Sequence, residues 1–134
     1  MTRQQKNIPT QLNLADFSEK SLLILDDDDP LRGRLSRAME KKGFEVKEAK
    51  TVAESLSIVR NSPPKFAVVD LRLEDGNGLD VVKELSGVKK DCRIVMLTGY
   101  GNLPTAVAAV KAGAIDYIAK PVDADDIEAA LLAS

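Results

Sequence analysis

Phe66-Ala67-Val68-Val69-Asp70 is the stretch on which the fold turns. Four apolar residues run without a polar break and then meet a carboxylate. A strand with one wet face alternates apolar and polar residues, and this one does not. Its pattern fits a strand buried on both faces of a parallel sheet. SLLIL (21–25) upstream and RIVML (93–97) downstream read the same way. FEVKE (44–48) and AIDYIA (114–119) are weaker runs; Phe44 and Val46 alternate with charge, as on a more exposed strand.

Helical patterns fill the gaps. Asp29 ahead of Pro30 reads as an N-cap and first-turn pair. Leu31, Leu35, Ala38 and Met39 follow at helical spacing, and Gly43 ends that helix. Thr51 with Glu54 forms a capping-box pattern before Leu56 and Val59. Leu79, Val82 and Leu85 line a third helix. Pro104 opens a fourth, with Val107 and Val110 expected to face inward and Gly113 closing it. Asp123 caps a fifth that carries Ile127 and Leu131. Five strands alternating with five helices predict a doubly wound α/β fold around a five-stranded parallel sheet.

Composition narrows the function. At 134 residues the chain suggests one domain with a core of its own. A single cysteine, Cys92, and no histidine exclude an internal disulfide, His-based zinc sites and His-based triads. A net charge of −2 gives no electrostatic case for non-specific nucleic-acid binding. No apolar run approaches the roughly 18 residues of a membrane span. Residues 1–17 lack a signal-peptide core, and a cytoplasmic location is the expectation. Residues 1–20 are polar and punctuated and read as a flexible tail.

In doubly wound folds, ligands gather outside the carboxyl ends of the strands. Asp26-Asp27-Asp28-Asp29 follows the first strand, Asp70 the third, Thr98-Gly99 the fourth and Lys120-Pro121 the fifth; the second ends in no comparable group. Crowded carboxylates repel unless a cation joins them. With only oxygen ligands on offer, Mg²⁺ suits the set. With Lys120 it would neutralise the equatorial charge of a phosphoryl group. Thr98 offers a hydroxyl, and Asp70 is placed as a carboxylate nucleophile.

LLILDDD, VVDLRLEDGNGLD, VMLTGYG and DYIAKP together resemble the receiver domains of bacterial two-component response regulators. The spacing makes the set specific: 43 residues from Asp27 to Asp70, 28 to Thr98, 22 to Lys120. AMEKKGFEV, FAVVDLRLEDGNGLDVV and LTGYGNLPTAVAAVKAGAIDYIAKP resemble in particular the redox-responsive RegA/PrrA/ActR regulators. The resemblance covers residues 21 to about 133. It implies a flavodoxin-like (CheY-like) receiver over 21–134 with strand order 2-1-3-4-5. It also implies a DNA-binding output domain that this chain is expected to lack.

The resemblance further implies roles for single residues. Asp70 takes a phosphoryl group from a sensor histidine kinase. Asp27 binds Mg²⁺, Asp26 supports it, and the main-chain carbonyl of Arg72 completes the protein ligands. Lys120 pairs with a phosphate oxygen and precedes a cis proline. Thr98 and Tyr117 form the switch, and the face of the fourth helix, fifth strand and fifth helix is the implied homodimer surface. Many receivers carry proline four residues past the phosphoacceptor; Glu74 stands there, leaving the loop 71–78 open, although Asp75-Gly76-Asn77-Gly78 supplies turn chemistry. Arg72 and Tyr100 flank the expected pocket and are candidate tuners of water access.

Bland readings stand beside these. Asp28 and Asp29 serve best as helix-end charge and cap. An aromatic such as Tyr117 is often packing alone. Cys92 has no second cysteine to resolve an oxidised thiol. Two rival functions compete with this reading. A Mg²⁺-dependent phosphatase would need a general acid two residues past Asp70, where Arg72 cannot serve. A pure interaction module with a degenerate pocket is opposed by the intact set Asp27, Asp70, Thr98 and Lys120.

Overall fold

The computed structural model describes residues 11–99 and 103–134. Its five main strands are β1 (Ser21–Leu25), β2 (Glu45–Ala49), β3 (Phe66–Asp70), β4 (Arg93–Thr98) and β5 (Asp116–Ala119). All neighbouring pairs are parallel, in the order β2-β1-β3-β4-β5. The helices are α1 (Asp29–Lys41), α2 (Val52–Asn61), α3 (Gly78–Val88), α4 (Leu103–Ala112) and α5 (Ala124–Leu131).

Period two divides the core between two faces. Leu22, Ile24, Phe66, Val68, Val95 and Leu97 point to the side covered by α1 and α5. Leu23, Leu25, Ala67, Val69, Ile94 and Met96 point to the side covered by α2, α3 and α4. With helices on both faces, the central strands have no wet side, so their sequences run continuously apolar. Phe66 sits at the first core's centre, with the Phe17 and Phe44 rings edge-on at 5.1 and 5.2 Å.

Several expectations need correction. The α1 cap is Asp28, not Asp29: the Asp28 carboxylate accepts from the Leu31 amide at 3.0 Å. Asp29 lies inside the first turn and pairs with Arg32. Replacing Asp28 by alanine is expected to cost about 1 kcal/mol in urea unfolding, and Asp29→Ala less. Phe44 lies outside β2, because its amide donates to the Met39 carbonyl and closes the end of α1.

Val107 and Val110 do not face inward. They are 43% and 57% exposed, and Ala109 is the buried residue of α4. The face of α4 that packs on the core carries alanines, Ala109 and Ala112, and the valines lie off that face. The tail reading also fails for residues 11–20. Leu14 is buried, a short 3-10 turn spans Leu14–Asp16, and the Leu12 amide donates to the Leu132 carbonyl. Residues 1–10 lie outside the described residues.

Candidate functional site

The strand order reverses between β1 and β3, so their carboxyl ends border the crevice where doubly wound folds bind ligands. Leu25 pairs in register with Val69, which puts Asp26 beside Asp70. Asp70 pairs with Leu97, and Thr98 with Ala119, so Thr98 and Lys120 complete the same edge. The Lys120 amide donates to the Thr98 carbonyl at 2.7 Å. The sheet register alone therefore assembles four of the residues singled out in the sequence.

Burial sets their chemistry. Asp26, Asp70 and Thr98 are buried, while Asp27 is exposed at the mouth. Carboxylate oxygens of Asp26, Asp27 and Asp70 lie within 4.8 Å of one another. The Lys120 Nζ is 2.9 Å from Asp26 Oδ2 and 3.5 Å from Asp70 Oδ2. Burial pulls the lysine's pKa down, but Asp26 and then Asp70 outweigh it and the net direction is up. Asp70 is pushed up to about 6, chiefly by burial and then by the Asp26 charge, with Lys120 opposing.

One ammonium does not balance three carboxylates. Asp26 Oδ2 accepts no well-aligned hydrogen bond, even with the ammonium at 2.9 Å. A buried acceptor with spare lone pairs, among oxygens crowded within 4.8 Å, fits a divalent cation. The all-oxygen donor set suits a hard ion.

The flanking loop is well defined despite Glu74. Arg72–Leu73 and Gly76–Asn77 form a small antiparallel ribbon. The Asp75 carboxylate accepts from the Val52 and Ala53 amides at 2.8 and 3.1 Å, capping α2 from outside. Those bonds hold its pKa below the usual range. Arg72 is exposed beside the site. The Lys120-Pro121 bond is cis, as the resemblance implied. Tyr117 is half-buried on β5 against the core face of α2, α3 and α4. Tyr100 lies outside the described residues. Cys92 is buried, and burial pushes its thiol up to about 12, so it stays protonated and poorly reactive near neutrality.

Reading strand ends alone missed Arg32 and gave Asp75 and Gly78 only as turn chemistry. The Arg32 guanidinium donates to the Asp26 carbonyl at 2.7 Å. Gly78 packs so tightly that an added Cβ would sit 2.1 Å from the Asp70 carbonyl oxygen. Arg32 did carry a signal, being three residues past Asp29 on a helix.

An acidic crevice at the switch point of a β2-β1-β3-β4-β5 sheet, with a lysine across from a buried aspartate, defines a receiver module. The model of the response regulator receiver domain matches residues 22–132, and the chain belongs to that family.

The chain is 59% identical over 116 residues to the photosynthetic apparatus regulatory protein RegA of Cereibacter sphaeroides, covering 87% of this chain and 63% of that protein. It is 53% identical over 133 residues to the acid tolerance regulatory protein ActR of Rhizobium meliloti, covering 96% of this chain and 69% of that protein. It thus spans about two thirds of these relatives' length. A response regulator from Burkholderia pseudomallei, solved with a phosphorylated aspartic acid, a calcium ion and citrate, matches at TM-score 0.80 and 39% identity, over 84% of this chain and 66% of that one. A receiver domain protein from Methanospirillum hungatei matches at TM-score 0.77 and 33% identity, over 82% and 88%.

Proposed function

We propose that this receiver accepts a phosphoryl group on Asp70 from a phosphohistidine of a sensor kinase and, so modified, controls a DNA-binding output. The observation that carries the reading is Lys120 Nζ lying between buried Asp26 and Asp70, with Asp27 at the mouth. An Asp70 carboxylate oxygen bonds to phosphorus as the bond from phosphorus to the histidine nitrogen breaks. Lys120 then turns from carboxylate to phosphoryl oxygen, and Thr98 donates its hydroxyl to another.

Asp26, Asp27, Asp70 and the Arg72 carbonyl would hold Mg²⁺, which supplies charge neutralisation to the transferring group. The new group adds about −1.5 to −2 charges and biases an existing equilibrium between two states. Thr98 and Tyr117 relay it to the α4-β5-α5 face. There α4 exposes Leu103, Val107 and Val110, a surface suited to pairing with a second copy. Among the described residues, no helix is long and apolar enough to cross a membrane. We place the chain in the cytoplasm, where such kinases deliver phosphoryl groups.

The test is direct. The chain is incubated with Mg²⁺ and a small phosphodonor such as acetyl phosphate, and then weighed. Wild type should gain one phosphoryl mass, lost again on mild base, and Asp70→Asn should gain none. Equal gain in both variants would remove Asp70 from the mechanism.

A further inference from the structure

We infer that Arg32 is a positioning residue for the cation site, holding the Asp26–Asp27 peptide from outside the pocket. The inference rests on the cation-assisted reading above and assigns part of that site's geometry to α1 and β2.

Arg32 makes three hydrogen bonds to three separate places. Nη1 donates to the Asp26 carbonyl at 2.7 Å, Nη2 to Asp29 Oδ1 at 2.7 Å, and Nε to Glu48 Oε1 at 2.9 Å. Its side chain is only 14% exposed. An ordinary helix-surface arginine needs only the partner three residues back. This one spans the acidic loop, the first turn of α1 and the edge strand β2.

The carbonyl it grips belongs to the peptide that joins Asp26 to Asp27. Rotating that peptide would swing Asp27 away from the other carboxylates. Two more bonds brace Asp26: its amide donates to the Ala49 carbonyl at 3.1 Å, and its Oδ1 accepts from the Asp28 amide at 2.9 Å. Arg32 supplies the remaining anchor, on the carbonyl side. Second-layer contacts of this kind orient metal-binding side chains and tune affinity. β2, whose end carries no reactive group, therefore contributes to the site through Glu48.

Two effects of Arg32 oppose each other. Its charge repels an incoming cation, while its fork orders the ligands. Arg32→Lys separates them, because lysine keeps the charge but cannot span three acceptors with a planar fork. The experiment is calorimetric titration of Mg²⁺ into wild type, Arg32→Lys and Arg60→Lys, with the fold checked by circular dichroism. Arg60 is the control, since it pairs with Glu84 between α2 and α3. Arg32→Lys should weaken Mg²⁺ binding about tenfold, and Arg60→Lys should leave it unchanged.

A merely structural arginine would lower the melting temperature in chelator and leave the affinity alone. If Arg32→Lys does not fold, Glu48→Gln loosens the same fork from β2 and should weaken binding in the same direction. Arg32→Lys, or Glu48→Gln in its place, binding as tightly as wild type overturns the inference while the phosphoacceptor reading stands. Wild type binding no divalent cation overturns both.

Discussion

Asp70→Asn is expected to stabilise the cation-free chain by about 2–3 kcal/mol at pH 7, although it removes the proposed phosphoacceptor. The cause is the raised pKa of Asp70, about 6 against the ordinary carboxyl value of 3.8. Between those values the folded state holds a proton that the unfolded chain has released. Rising pH therefore favours the unfolded chain through this window. Well below about pH 4, Asp70 is neutral in both states and exerts no penalty. Above pH 6 the whole penalty is present, about 1.4 kcal/mol for each pKa unit.

Asparagine keeps the shape and has no charge to bury, so the penalty disappears. Lys120 keeps its nearer partner, Asp26, at 2.9 Å. The measurement is urea unfolding in chelator at pH 7 and pH 4. A gap between variants that opens only at the higher pH is the expected result. Asparagine no more stable than aspartate at pH 7 would show that Asp70 is not strained as described. Added Mg²⁺ should narrow the gap, because it stabilises the wild-type carboxylate. The site thus holds unbalanced negative charge that a bound divalent cation would relieve.

What the sequence disclosed follows from where each piece of information lies. β1, β3 and β4 were legible because burial on both faces forces continuous apolar runs. Asp26, Asp70, Thr98 and Lys120 were legible because each closes or directly follows a strand, and parallel register brings strand ends together. Asp28 and Asp29 were harder to tell apart, since a run of four aspartates gives no local sign of which one caps. Arg32 and Asp75 stayed hidden for a different reason. Their partners, Glu48 and Val52–Ala53, lie 16 to 23 residues away along the chain. Nothing in the spacing announces those meetings. α4 misled because valines at 107 and 110 look like a core stripe, whereas the face of α4 that packs on the core carries Ala109 and Ala112. Leu12, Leu14 and Phe17 were too sparse to outweigh the polar residues around them, yet they pack on the core.

Gly78→Ala is expected to be among the most damaging methyl additions at the described glycines. Gly78 follows a turn-rich segment, so its glycine looks like turn chemistry. Among the described residues the positive-φ glycines are Gly43, Gly76 and Gly113, and Gly78 is not one of them. The constraint is close approach instead. A Cβ at 78 would lie 2.1 Å from the Asp70 carbonyl oxygen, 3.0 Å from its carbonyl carbon and 2.8 Å from Val69 Cγ1. Two of those atoms are backbone in the central strand, so no rotamer change relieves the clash. The Gly78 amide also donates to the Leu71 carbonyl at 2.8 Å, which pins α3 against the end of β3. Forcing the two apart should cost about 3 kcal/mol or more, the upper range for overpacking, read by urea unfolding. It should also tilt Asp70 away from Lys120 and slow acyl-phosphate formation at least tenfold, because an ångström of misplacement is enough for that. Gly87→Ala is the control, since an added Cβ there meets nothing within 4 Å. Full phosphorylation and native stability in Gly78→Ala would mean that β3 and α3 can separate freely, and the tight seat proposed for Asp70 would be lost.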